Sequence, residues 1–198
     1  MSAFRRFLDT LCQQVMSTAD DAGRIATERL ELELLGPTFL ANMLLSKPGP
    51  DPGFADPAGF LLGAEDVVRL RLEQIETSPE VAPWLLRALV FRALVLREGR
   101  VAVGFIGFHA APDERGLVEI GSEVLPSFRR RGYASEAVTA LIAWAAREGV
   151  RTVRACVSPE NVASLALLIR QGFALVGEQL DEEDGRELVF EMTVDARA

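Results

Sequence analysis

Three short stretches carry the groups whose types and spacing suit chemistry. They are L-V-E-I-G-S-E-V-L (117–125), R-R-R-G-Y-A (129–134) and S-P-E-N-V-A-S (158–164). In the first, Glu119 stands between Val118 and Ile120, where partial burial would raise a carboxyl pKa and suit it to accept a proton. In the second, Gly132 lacks the Cβ that would block a ligand and tolerates positive φ. The helical pattern that follows offers unpaired backbone N–H groups and a partial positive charge, a setting for an anion. Arg129, Arg130 and Arg131 add charge suited to phosphate oxygens, and a pyrophosphate is the implied ligand. In the third, Asn161 reads as a helix cap, and Ser164, one turn on, shares its face. Each also has a plainer reading: an edge-strand charge, a solvated turn, a helix-surface serine bonding its own backbone.

Other chemistries lack their parts. No G-x-x-x-x-G-K-[ST] is present, and Gly104 and Gly107 do not complete G-x-G-x-x-G. His109 is the one histidine, at the end of a strand, where a structural hydrogen bond is the simpler role. With only Cys12 and Cys156, far apart in sequence, neither a metal site nor a disulfide framework is expected, and buried thiols in a reducing, cytoplasmic compartment are. A net charge of −8 argues against a nucleic-acid partner. No apolar stretch is long and clean enough to span a bilayer, so no membrane role is expected.

The elements that must position these residues follow from periodicity. Phe4, Phe7, Leu8, Leu11, Cys12, Val15 and Met16 recur at helical spacing, so residues 1–24 form an amphipathic extension that packs on the domain or on a second subunit. The domain proper, 25–198, starts with R-L-E-L-E-L (29–34), a half-buried strand, and a short helix from Pro37 to Leu45. Residues 46–59, rich in proline and glycine, read as a loop, and 64–76 as a helix. Stretches 87–96, 101–109 and 117–125 form an antiparallel meander. A helix ended by Gly149 leads to a strand at 152–158 parallel to 117–125, then a helix ending at Gly172 and a final pair at 173–180 and 186–194. The fold class is α/β with a mixed, mostly antiparallel sheet of about seven strands, the fourth and fifth parallel. Trp84, Phe91 and Arg92 border an acceptor pocket or serve the core.

Arg129, Gly132 and Ala134 match R-x-x-G-x-A, and P-E-N-V-A-S-L-A-L-L-I-R-Q-G-F (159–173) has an Asn-led segment closing on Gly-Phe. With A-T-E-R-L-E-L-E-L, V-G-F-I-G-F-H and E-I-G-S-E-V, the chain over residues 26–194 resembles the GNAT superfamily of N-acetyltransferases. It most resembles the branch that acetylates ribosomal-protein N-termini. The resemblance implies splayed fourth and fifth strands with acetyl-coenzyme A in the gap. Pantetheine would lie along Glu123, Val124 and Leu125, and the pyrophosphate on the backbone of Arg129, Arg130, Arg131, Gly132, Tyr133 and Ala134, with Asn161 also contacting the cofactor. It implies a β-bulge at Gly121, which would turn Glu123 to another face than Glu119, and Glu119 as general base, directly or through water. The tyrosine that many members place seven residues after the asparagine is Leu168 here, so the resemblance gives the thiolate's proton donor as Ser164. The acceptor would be an amine, either a protein N-terminus or a small molecule such as an aminoglycoside, polyamine or amino acid. A non-catalytic acyl-coenzyme A binder is the reading from a different class. No metal is implied, and a homodimer through residues 1–24 fits the extension.

Overall fold

The computed structural model describes residues 23–46, 52–56, 59–92, 99–182 and 185–194. The amphipathic extension lies almost wholly outside the described residues. Eight strands form one mixed sheet: β1 (Ile25–Ala26), β2 (Leu30–Leu34), β3 (Arg87–Phe91), β4 (Ala102–Phe108), β5 (Leu117–Val124), β6 (Thr152–Val157), β7 (Ala174–Asp181) and β8 (Gly185–Thr193). Their spatial order is β1-β2-β3-β4-β5-β6-β8-β7, antiparallel throughout except for β5 beside β6. The strand beyond the expected seven is β1, a two-residue segment too short to show a period.

Alternation along the strands builds two apolar layers. On one face Leu30, Leu32, Leu89, Phe91, Ile106, Phe108, Val118, Ile120 and Val153 pack against α3 (Tyr133–Arg147) and α4 (Val162–Gln171). The stripe Ala137, Val138, Leu141, Ile142, Ala145 recurs at helical spacing and is buried. On the other face Ala88, Val90 and Ala102 meet α1 (Pro37–Leu44) and α2 (Glu65–Thr77), the latter through Val68 and Leu72. Trp84, Phe108 and Trp144 stack in the first layer, and the buried Arg87 guanidinium lies 4.9 Å from the Trp144 ring. Phe91 packs edge-on to Phe128 and Tyr133. Trp84 and Phe91 are therefore core residues, and Arg92 ties its strand end to the Thr27 carbonyl.

The bulge expected at Gly121 is not there. β4 and β5 keep an unbroken register from Gly104↔Val124 to Phe108↔Ile120, and Gly121 pairs directly with Gly107. The register shift falls instead between β3 and β4, at Leu89/Val90. Gly121 is small for another reason: a Cβ on it would stand 2.8 Å from Nε2 of His109. With regular pairing, Glu119 and Glu123 share one face, contrary to the expectation drawn from a bulge.

Candidate active site

The parallel pair is short. β5 and β6 are in register only at Leu117↔Thr152, Val118↔Val153 and Glu119↔Arg154, although β5 continues to Val124 and β6 to Val157. Beyond this seam the strands part, leaving a gap edged by main chain. The ladder on the other side of β5 says which groups face it. His109 N donates to the Glu119 carbonyl (2.8 Å) and Leu125 N to the Val103 carbonyl (2.9 Å), so odd-numbered residues bond toward β4. The alternation leaves the main chain of Ser122 and Val124 on the gap. Of the three residues expected along pantetheine, Val124 turns its main chain to the gap while Glu123 and Leu125 bond toward β4, and Ser122 also edges the gap. Only the strand register could have shown this.

α3 starts where β5 runs out, and α4 where β6 does, so both helix N-termini stand at the mouth of the gap. Gly132 is the residue before α3, at φ 84°, with no side-chain cap, and Arg130 adopts φ 61°. The first-turn N–H groups of Tyr133, Ala134 and Ser135 have no acceptor within the helix. Such N–H groups form a cradle suited to an anion, and a Cβ on Gly132 would narrow it and force an unfavourable conformation. The side chains are otherwise engaged. Arg129 Nε donates to the Val124 carbonyl (2.7 Å) and its Nη2 to Glu123 (3.3 Å). The Arg131 carbonyl accepts from Arg29 (2.9 Å). The Tyr133 ring is buried against Phe91 with the Arg29 guanidinium over it, so only its backbone faces the cradle. The loop is pinned through Glu136, which accepts from Thr27 Oγ1 (2.5 Å), Arg29 N (2.7 Å) and Arg29 Nε (2.7 Å). Burial pushes the Glu136 carboxyl up, and these donors outweigh it and hold it below the usual range. A surface groove of about 540 Å³ runs from Gly132 and Ser135 along α3 to Ala143, away from Glu119.

At the seam, on the face of α1 and α2, polar side chains converge. Glu119 Oε1 lies 3.2 Å from His109 Nδ1, and the Cys156 thiol is close enough to interact with the same carboxylate. Arg154, the register partner of Glu119, pairs with Glu191 at 2.6 Å. Arg71 Nη1 and Gln74 Nε2 from α2 both donate to the His109 carbonyl, at 2.9 and 2.8 Å. This constellation corrects the expected electrostatics of Glu119. The His109 hydrogen bond lowers its pKa most, and although burial raises it, His109, Cys156 and Arg154 carry the balance downward. It is therefore ionised at neutral pH. The His109 ring belongs to this cluster through its contact with Glu119 and is half exposed.

Cys156 shows the opposite effect. Burial first, then the charges of Glu119 and Glu187, push its thiol up to about 12. Because the thiolate is the reactive form, Cys156 is inert near neutrality. Iodoacetamide at about pH 8 is expected to leave the Cys156 peptide unmodified in the folded protein and to modify it fully after denaturation, read by peptide mass mapping. Rapid native alkylation would overturn this environment.

On the far flank Asn161 caps α4, its Oδ1 accepting from Ser164 N at 3.1 Å. Ser164 is half-buried, and no hydrogen bond joins it to Glu119 among the described residues. Leu168 is buried in the apolar layer, so that position presents no proton donor. No group of three or more His, Cys, Asp or Glu suited to a metal ion occurs among the described residues. Nor is any described helix long and apolar enough to cross a membrane.

A mixed sheet opened at one parallel pair, with a capless, glycine-led helix at the opening, is a scaffold whose free strand edge and first-turn N–H groups suit an extended ligand carrying an anion. Residues 56–174 match the acetyltransferase (GNAT) domain family, and the chain belongs to it. YjdG of Bacillus subtilis (strain 168), described as an uncharacterized N-acetyltransferase, is 40% identical over 83 residues, covering 41% of this chain and 49% of that protein. The p20 protein of Bacillus licheniformis, described in the same way, is 30% identical over 95 residues, 48% and 53% of the two chains. The chain spans about half the length of the curated relatives it matches. Among solved structures, the ribosomal L7/L12 α-N-protein acetyltransferase RimL in complex with coenzyme A superposes with a TM-score of 0.61 at 18% identity, over 87% of this chain and 99% of that one. The microcin C7 self-immunity acetyltransferase MccE, solved with acetyl-coenzyme A and AMP, gives 0.57 at 14% identity, over 85% and 94%. At these identities the likeness is one of fold.

Proposed function

We propose that the protein transfers acetyl from acetyl-coenzyme A to an amine by direct attack in a ternary complex. The observation that carries this is the gap itself: the β5 edge at Ser122 and Val124 lies between the Gly132 cradle and the ionised Glu119. One ligand of the length of acetyl-coenzyme A would join all three. The residues fit that ligand, since the cradle supplies N–H groups for its pyrophosphate and the strand edge supplies partners for pantetheine amides. Bound there, acetyl-coenzyme A contributes the thioester. Glu119 supplies the negative charge that draws a proton from the acceptor ammonium, and Ser164, at the start of α4, is the proton donor to the departing thiolate.

A protein N-terminal α-amine is the acceptor this reading favours. An α-ammonium near pKa 8 gives up its proton more readily than a lysine near 10.4, which suits a carboxylate held at low pKa. The solved acetyltransferases of L7/L12 share the fold and support the same choice. Coenzyme A release measured with N-terminal peptides, aminoglycosides, polyamines and amino acids tests it. Turnover is expected with peptides bearing a free α-amine and not with their N-terminally blocked forms. Turnover confined to small amines would replace the acceptor. Tight binding of acetyl-coenzyme A with no turnover on any amine would reduce the protein to an acyl-carrier binder.

A further inference from the structure

His109 is the only histidine in the chain, and its surroundings fix it more closely than a strand-end residue requires. Its N–H donates to the Glu119 carbonyl at 2.8 Å, and its own carbonyl accepts from Arg71 (2.9 Å) and Gln74 (2.8 Å). The side chain remains half exposed, with Nδ1 3.2 Å from Glu119 Oε1. The ring lies over Gly121, and any Cβ there would come within 2.8 Å of Nε2. An ionised carboxylate accepts hydrogen bonds and donates none, so the proton between the pair sits on Nδ1. In the neutral ring Nε2 is then left as an acceptor. It lies over Gly121, one step further along the β5 face than Glu119 and next to Ser122, where the main chain meets the gap.

We propose that Nε2 of His109 is the atom that takes the proton from the acceptor ammonium, while Glu119 holds the ring in its Nδ1–H tautomer and balances the charge it gains. This rests on the acetyltransferase reading and assigns the proton's path within it. The ammonium gives one proton to Nε2 and becomes the nucleophilic amine. Its nitrogen bonds to the thioester carbonyl carbon, and the C–S bond breaks with its electron pair on sulfur. The nitrogen's surplus proton passes to the thiolate, and the imidazolium returns its proton to solvent. Amide, free thiol and one released proton balance the reaction. Among the described residues, the charged and titratable groups around the Glu119–His109 pair are Arg154 and Cys156 from β6 and Arg71 from α2. Among the described residues the imidazole's charged partner is Glu119, and the cations of the cluster are each engaged with another acceptor, Arg154 with Glu191 and Arg71 with Gln74 and the His109 carbonyl.

Acetyl transfer by wild type, His109→Gln, His109→Ala and Glu119→Gln, measured across about pH 5 to 9, tests the assignment, together with ¹⁵N NMR of the single imidazole. His109→Gln is expected to lower kcat/KM for the amine about 10²- to 10³-fold while leaving KM for acetyl-coenzyme A unchanged. It should also remove the acid limb of the pH profile, and added imidazole should restore part of the activity of His109→Ala. The NMR spectrum should show the Nδ1–H tautomer in wild type and lose it in Glu119→Gln. A His109→Gln enzyme within about threefold of wild type, with its acid limb intact, overturns the proposal, as does an Nε2–H tautomer. If wild type acetylates no amine, the acetyltransferase reading fails first and takes this assignment with it. If wild type is active and His109→Gln is too, only the assignment fails.

Discussion

Glu119→Gln is expected to lose about 10²- to 10⁴-fold in kcat/KM for the amine, the range of a general acid–base contribution, with acetyl-coenzyme A binding intact. Glutamine keeps the shape but not the charge, and its amide can donate to His109 Nδ1 as well as accept from it, so the loss measures charge and the tautomer it fixes rather than packing. Steady-state kinetics beside calorimetric binding of coenzyme A separates the two, and full turnover at every pH would remove Glu119 from the mechanism. The substitution has a second readout in stability. The folded-state pKa of Glu119 lies below its ordinary value, chiefly through His109. The stabilisation it contributes is therefore complete above the usual carboxyl range and is lost as pH falls through the folded value. Glu119→Gln should flatten the acid side of the stability profile, which chemical denaturation across about pH 3 to 7 would show.

Gly132→Val should produce the other large effect, on the cofactor rather than the acceptor. At φ 84° a β-branched residue is strained by about 1–3 kcal/mol. Its Cβ would come 3.3 Å from Arg29 Nη2, crowding the guanidinium that anchors the loop. Relief of either means moving the loop, which displaces the first-turn N–H groups from a pyrophosphate. Affinity for acetyl-coenzyme A is expected to fall about 10- to 100-fold, equivalent to about 1.4–2.7 kcal/mol. Titration calorimetry measures this directly. Unchanged affinity would mean that the cradle does not hold the pyrophosphate, and Gly132→Ala, strained but smaller, should fall between the two.

The loop was legible in sequence because its requirements are local. A helix start, a glycine before it and small residues within it can be read in order along six positions, and Gly132 does adopt the left-handed conformation that only glycine favours. Asn161 as cap was legible for the same reason. Glu119 was found by resemblance, but the sign of its pKa shift was not, because the groups that set it come from the end of β4 and from β6, not from its sequence neighbours. Burial by flanking valine and isoleucine pointed upward; the donors that outweigh it are brought by topology. His109 was passed over for a related reason. A lone histidine at a strand end has no local signal, and the complementary absence of a side chain at Gly121 was read as a bulge. That Ser122 edges the gap and Glu123 does not was illegible because the edge that a β-strand presents depends on which neighbour it bonds first.

The three-residue seam also bears on how the chain folds. β3 to β5 run as an antiparallel meander and β7 to β8 as a short hairpin, whereas β2 meets β3 only after α1 and α2 have intervened. β5 and β6 can meet only after the whole of α3 has crossed between them, and they gain few backbone bonds for that closure. What joins the two halves is the apolar side of α3, packed beneath Val118 and Ile120 in one and Val153, Ala155 and Phe190 in the other. Docking of that helix is thus one of the nonlocal events of the fold, and because it packs under both strands where they part, the event that completes this side of the core also bounds the cleft.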